Sequence, residues 1–233
     1  MGQDVERTRF DRHDFVRFGQ RLRAETELLH GFVEQEALST HAPVAGLELE
    51  AWLIDECGLP APCNDAFIER MGSPDIVTEI GRFNIELNVP PQPVAGNGLE
   101  RLADELEATW RRCGEVAEAM GLRAVAIGIL PTVRDADLTL HNLSNRARYR
   151  ALNQQVLRQR HGRPIRLSIH PPGGGEPLRS EHLDVMLEAI GPVFALFGVP
   201  PELLPMALVR PLSGSGSLAV LAAELDNPTG YGR

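Results

Sequence analysis

The chain has 233 residues, 43% of them hydrophobic, enough to bury one substantial core or at most two modest ones, and one domain is expected. Its net charge of -9 lacks the concentrated positive field that a nucleic-acid surface needs, so nucleic acid is excluded as a partner. Lysine is absent, which rules out a P-loop lysine or a Schiff-base lysine; any phosphate clamp must use arginine, backbone amides or metal.

The three cysteines, Cys57, Cys63 and Cys113, form no C-x-x-C pair, so neither a disulfide framework nor a zinc knuckle is indicated and a reducing, cytoplasmic setting is expected. The first ten residues are polar and charged, unlike a secretory signal, and no apolar run approaches a membrane span. No membrane partner is expected.

Taken in order, Arg12 to Glu36 spaces Phe15, Phe18, Leu22, Leu28, Leu29 and Phe32 at near-helical intervals among charges, predicting a long amphipathic helix that serves as a packing element. Ser39 to Pro43 reads as a linker. Val44 to Asp55, V-A-G-L-E-L-E-A-W-L-I-D, reads as a strand with Leu47, Leu49, Ala51 and Leu53 on one face and Glu48, Glu50 and Trp52 on the other. Two adjacent carboxylates repel by on the order of a kcal/mol and invite a hard cation, Mg2+ above all; the plain alternative is a solvated outer face.

Asn64 is expected to cap a short helix through Met71. Within Ile76 to Val89, Phe83, Ile85, Leu87 and Val89 alternate with Asn84, Glu86 and Asn88, predicting a strand stopped by Pro90, Pro91 and Pro93. Glu79 has the opposite parity to Glu86, and Gly81 is expected to supply a bulge or bend that returns both to one face. Leu99 to Met120 predicts a helix with Gly121 at its C-terminal cap, and Arg123 to Leu130 a fully buried strand. After a polar loop, Ser144 or Asn145 is expected to cap a helix from Arg146 to about Arg160, ended by Gly162. A strand at Pro164 to His170, a helix near Glu181 to Ala189, a strand near Val193 to Val199 and a helix from Pro201 complete the reading. This alternation of helices and strands by itself suggests a parallel, doubly wound sheet.

Glu48, Glu50, Glu79 and Glu86, with Asn84 and Asn88, would make an oxygen-only site suited to two or more Mg2+ ions clamping polyphosphate oxygens; ordinary strand-surface acids are the alternative. Arg146, Arg148, Tyr149 and Arg150 could hold an acidic substrate at a helix N-terminus, or form a solvated face. His170 is either an acid–base or phosphate-contacting group or a structural histidine. Pro171 to Gly175 reads as a turn and Ser213 to Ser217 as a linker.

Four ordered motifs, G-L-E-L-E-A-W-L-I-D, E-I-G-R-F-N-I-E-L-N-V-P-P-Q-P, A-I-G-I-L-P-T and R-A-R-Y-R-A-L, resemble the glutamate-cysteine ligase type 2 family, also called carboxylate-amine ligases, most strongly from Val44 to Ile169. The resemblance implies an α+β fold with a mainly antiparallel sheet flanked by helices, glutamine-synthetase-like and incomplete at the C-terminus. Polar-faced strands suit such a sheet with one open face. It also implies an N-terminal helix and linker over residues 1–43, a partial ligase-like catalytic domain over 44–233, and small-molecule substrates (an amino acid and ATP). The cofactors implied are ATP and Mg2+. A homo-oligomer is compatible with it. In such enzymes ATP phosphorylates a carboxylate, typically the γ-carboxylate of glutamate, and an amine such as that of cysteine displaces the phosphate, a step of glutathione biosynthesis. Carried over by motif, Glu48, Glu50, Glu79 and Glu86 match the metal-binding acids, Glu48, Glu50 and Glu86 the catalytic acids, and Arg148 and Tyr149 the substrate-region pair. Against the family's pattern the chain has no histidine after His182, and the resemblance carries the expectation that the family's C-terminal part is missing. That departure carries the alternative of a non-catalytic homologue that binds Mg2+ or a small acid; a metal-dependent hydrolase on the same carboxylates is the third reading.

Overall fold

In a computed structural model of the chain, residues 4–38, 42–169, 178–182, 186 and 194–197 are described. The organising element is β1 (Val44–Ile54), whose alternation is visible in its burial: Leu47, Leu49, Ala51 and Leu53 are buried while Glu48 and Glu50 are half-exposed. The buried face packs on α2 (Asn64–Met71) and α3 (Gly98–Ala119), whose inward stripe of Leu102, Leu106, Cys113, Val116 and Ala117 completes the main core. Burial pushes the Cys113 thiol up to about 12, so it behaves as a small apolar side chain.

Among the described residues every strand pairing is antiparallel. The fold is therefore α+β with an antiparallel sheet, as the resemblance implies, and not the parallel sheet that element order suggests. In place of one bent strand over Ile76 to Val89, β2 (Ile76–Thr78) and β3 (Asn84–Pro93) form a hairpin, with Val77 opposite Glu86. The strand does not stop at Pro90. Gln92 and Pro93 still pair with Ala45 and Val44, because β2 has already ended and the prolines need offer no donor on that side.

The other edge of β1 is shared. β4 (Arg123–Val125) pairs with Trp52 to Ile54, and β7 (Phe194–Phe197) pairs with Gly46 to Leu49. β4 is thus far shorter than the strand expected over Arg123 to Leu130: beyond Val125 the chain leaves an edge that β7 occupies further along, and Ile129 is exposed.

At the Trp52 end, the polar face of the sheet is covered by a second core in which Trp52 stacks on Phe83, with ring centroids 5.2 Å apart, beside Leu130, Leu138 and Met186. α4 (Ala147–Gln159) follows the loop. Neither Ser144 nor Asn145 caps it; the Asp4 carboxylate accepts the Arg148 amide at 2.7 Å instead. Asn64 likewise makes no cap for α2, since its side chain is turned inward. β5 (Ile165–Ile169) and β6 (Leu178–His182) form a second hairpin, so Glu181 and His182 lie in a strand where a helix was expected; of the rest of that stretch Met186 alone is described, and the helix from Pro201 lies outside the described residues.

Helix α1 (Arg12–Glu34) has a full capping box, with Asp11 accepting from His13 and Asp14 amides and Asp14 accepting from the Asp11 amide. It is not the packing element expected, since none of its residues is buried. Among the described residues no helix is long and apolar enough to cross a membrane.

Candidate functional site

Where the cover over Trp52 ends, the polar face of the sheet becomes acidic. Glu50 on β1 stands directly across from Glu86 on β3, as the register of an antiparallel pair requires, so their side chains leave the sheet side by side. The hairpin then adds Glu79. Its turn needs Gly81, where a Cβ would sit 2.5 Å from Asn84 Oδ1 and 2.6 Å from the Phe83 ring. The turn is fastened from inside by Asn64, whose side-chain amide faces the Gly81 and Asn84 carbonyls at 3.1 and 3.0 Å and Ser144 Oγ at 3.0 Å. From outside, Ser144 donates its amide to the Ile80 carbonyl and Arg82 donates to that of Asn142.

Glu50, Glu79 and Glu86 each offer a carboxylate oxygen, and these oxygens all lie within 4.8 Å of one another. At an effective dielectric near 20 each pair of full charges at that distance repels by about 3 kcal/mol. The molecule answers by keeping a proton. Burial, then the charges of Glu50 and Glu86 and a hydrogen bond shared with Glu86, push the Glu79 carboxyl up to about 8. Glu86 is only 6% exposed and accepts from Asn88 Nδ2 at 2.8 Å; Asn88 is in turn anchored through its backbone amide to the Asp75 carbonyl at 2.8 Å.

Glu48 lies on the same face opposite Asn88, one pleat repeat from Glu50, and outside the group of three. Arg148 and Tyr149 reach the site from α4. The Tyr149 hydroxyl donates to the Thr78 carbonyl at 2.9 Å and accepts from Arg148 Nη2 at 2.8 Å, with the guanidinium 4.7 Å from the phenol ring centre. Burial first, then the negative charge of Glu79, raises the Tyr149 hydroxyl to about 12, so it stays a neutral donor. Arg146 Nε adds a bond to Thr78 Oγ1 at 3.1 Å. The arginine–tyrosine pair thus grips the residue before Glu79. His170, Pro171 to Gly175 and Ser213 to Ser217 lie outside the described residues.

Three residues escape the sequence reading. Asn64 stands at a helix start and so looks like a cap; Thr78 is an ordinary β-branched strand residue; Asp4 precedes all regular structure. None carries a local signal, because each acts on a partner distant in sequence.

A set of oxygen donors alone, without sulfur or imidazole, suits a small hard divalent cation that keeps part of its water shell. An acid that retains its proton to about 8 marks the place where positive charge is wanted.

Comparison with known proteins gives one long match. The family model described as "Glutamate-cysteine ligase family 2(GCS2)" matches residues 44–197, which takes in β1, both hairpins, α3 and α4. A short stretch of 38 residues is 40% identical to "Spore maturation protein B" of Bacillus subtilis (strain 168), covering 16% of this chain and 21% of that protein. No solved structure matches.

Proposed function

Because the chain belongs to glutamate-cysteine ligase family 2, a family of carboxylate–amine ligases that is generally ATP-dependent, we propose that it joins the γ-carboxylate of glutamate to an amine such as that of cysteine at the expense of ATP. The observation that carries this reading is the convergence of Glu50, Glu79 and Glu86. In it the γ-phosphoryl group passes to the substrate carboxylate with departure of ADP; the amine nitrogen then attacks the acyl carbon, phosphate leaves, and the amine loses a proton.

Glu50, Glu79 and Glu86 would hold Mg2+, with Glu48 a further oxygen along the same strand face. Bound there, Mg2+ would neutralise the charge that develops on the transferring phosphoryl oxygens. The rest of the work is positioning. Asn88 holds Glu86 in one orientation, and Glu79 gives up its proton as positive charge arrives. Arg148 and Tyr149, fixed on Thr78, present a cation and a neutral hydroxyl beside the acids, a pairing suited to an acidic substrate.

Phosphate release from ATP should require Mg2+, glutamate and the amine together. Glu50→Gln and Glu86→Gln should each lower the rate by at least 100-fold, the scale expected for losing a charged group from a phosphoryl-transfer site. Phosphate release at background level from folded chain would rule out the ligase reading, and an unchanged rate in both variants would remove the metal role. ATP binding without turnover would leave a non-catalytic binder of Mg2+.

A further inference from the structure

Beside the Gly81 turn lies a cavity of about 460 Å³, lined by Arg82 from that turn, Asp65 from α2, His141 and Ser144 from the loop before α4, and Arg150 from α4. None of Glu50, Glu79 and Glu86 lines it, so it is separate from the acidic site. Its charge is also of the opposite sign. Two guanidinium groups stand against one carboxylate, in a chain whose net charge is -9. Asp65, that carboxylate, is exposed and has Arg146 Nη2 at 3.9 Å.

The lining is held in place by bonds that leave its donors unspent. Arg82 donates its amide to the Asn142 carbonyl at 2.7 Å and accepts from the Asn64 amide at 2.8 Å, while Arg150 Nη1 donates to Asn145 Oδ1 at 2.8 Å. Ser144 is only 1% exposed. Its Oγ accepts from Asn64 Nδ2 at 3.0 Å, and its own hydrogen meets no acceptor among the described residues, Asn64 Oδ1 included. Nor does the half-buried Arg82 guanidinium make a hydrogen bond or ion pair among the described residues. Groups withdrawn from water are normally paired, so a buried hydroxyl and a half-buried cation left over at one cavity call for an acceptor of negative charge.

We propose that this cavity binds a phosphate-type dianion, either inorganic phosphate or the phosphoryl group of a small monoester. Arg82, Arg150, Ser144 and His141 bring donors from three separate segments, more directions than the two coplanar oxygens of a carboxylate can meet. A tetrahedral oxyanion has an oxygen for each, and guanidinium forks suit it. Leu140 and Leu143 wall the remaining volume, which leaves room for the organic part of a monoester.

Calorimetric titration of the full chain with inorganic phosphate tests this, after passage over a chelating resin so that no metal carries the anion to the acids. One saturable site is expected, with a dissociation constant of about 1 mM or tighter, weakened by added salt. Arg82→Gln and Arg150→Gln should each weaken it by at least about 10-fold with an unchanged circular dichroism spectrum, because each removes a charge-assisted donor. Arg112→Gln, on the exposed face of α3, should leave it unaltered. A parallel titration with glycerol phosphate separates the two sources: tighter binding than phosphate assigns the cavity to a monoester, weaker binding to the free ion, and either supports the site. Absence of saturable binding overturns the proposal. So does equal weakening by Arg112→Gln, which would mark diffuse surface charge, or acetate binding as tightly as phosphate, which would mark a carboxylate site.

Discussion

Replacing Glu79 with glutamine should stabilise the metal-free chain at alkaline pH. Below the ordinary carboxyl value of 4.5 the group is protonated in folded and unfolded chains alike and costs nothing. Between 4.5 and about 8 the folded chain retains a proton that the unfolded chain has released, so stability falls as pH rises, and above 8 the loss is complete. Fully realised, that displacement is worth about 5 kcal/mol; with screening at a partly exposed carboxyl, about 2–3 kcal/mol is expected. For a chain of this length that is about 5–10 °C in melting temperature. Urea or thermal melts at pH 5, 7 and 9 should show the parent chain losing stability across the range and Glu79→Gln remaining nearly level. Mg2+ should restore much of the parent's loss at pH 9 and act less on the variant. Parallel pH curves for the two chains would refute the idea that Glu79 is held protonated by its neighbours.

Tyr149→Phe removes both the donor to the Thr78 carbonyl and the acceptor of Arg148, and should cost about 1–2 kcal/mol in urea melts. Asn64→Ala removes the side-chain donor from the Gly81 and Asn84 carbonyls, of which Gly81 keeps the Asn84 amide, and should cost about 2 kcal/mol, more than a surface cap, which separates its observed role from the one its position suggests. Trp52→Ala empties the second core and should cost about 3–5 kcal/mol. In Gly98→Ala the new methyl would collide with the Pro93 carbonyl, so a lowered melting temperature is expected; an unchanged one would show that the β3–α3 corner yields freely.

What could be read from sequence was whatever repeats along one element. The alternation of β1 exposes its acidic face directly, and the stripe of α3 with Gly121 in the left-handed region at φ 70 after its C-cap behaves as its pattern predicts. The parity conflict between Glu79 and Glu86 already demanded a bend at Gly81. The structure resolves it with a complete reversal, because a three-residue strand leaves room for nothing longer. Illegible were features set by who occupies an edge. Pro90 ends a strand only if a neighbour needs its missing donor, and Arg123 to Leu130 is buried only if a partner lies beside it throughout. Glu48 and Glu50 look equivalent by spacing, yet cross-strand register gives Glu50 an acid opposite and Glu48 an amide.

The shared edge of β1 has a consequence in time. Gly46 to Leu49 take their second set of backbone partners from Phe194 to Phe197, about 145 residues later in the chain. At ribosomal rates of roughly 5–20 residues per second, the acidic strand waits about 7–30 s for its neighbour to be made. During that interval its row of amides and carbonyls lacks that partner, and the like charges of Glu48 and Glu50 would disfavour the addition of an identical strand from a second nascent chain. The repulsion that later marks the site would first act as a guard on the unfinished fold.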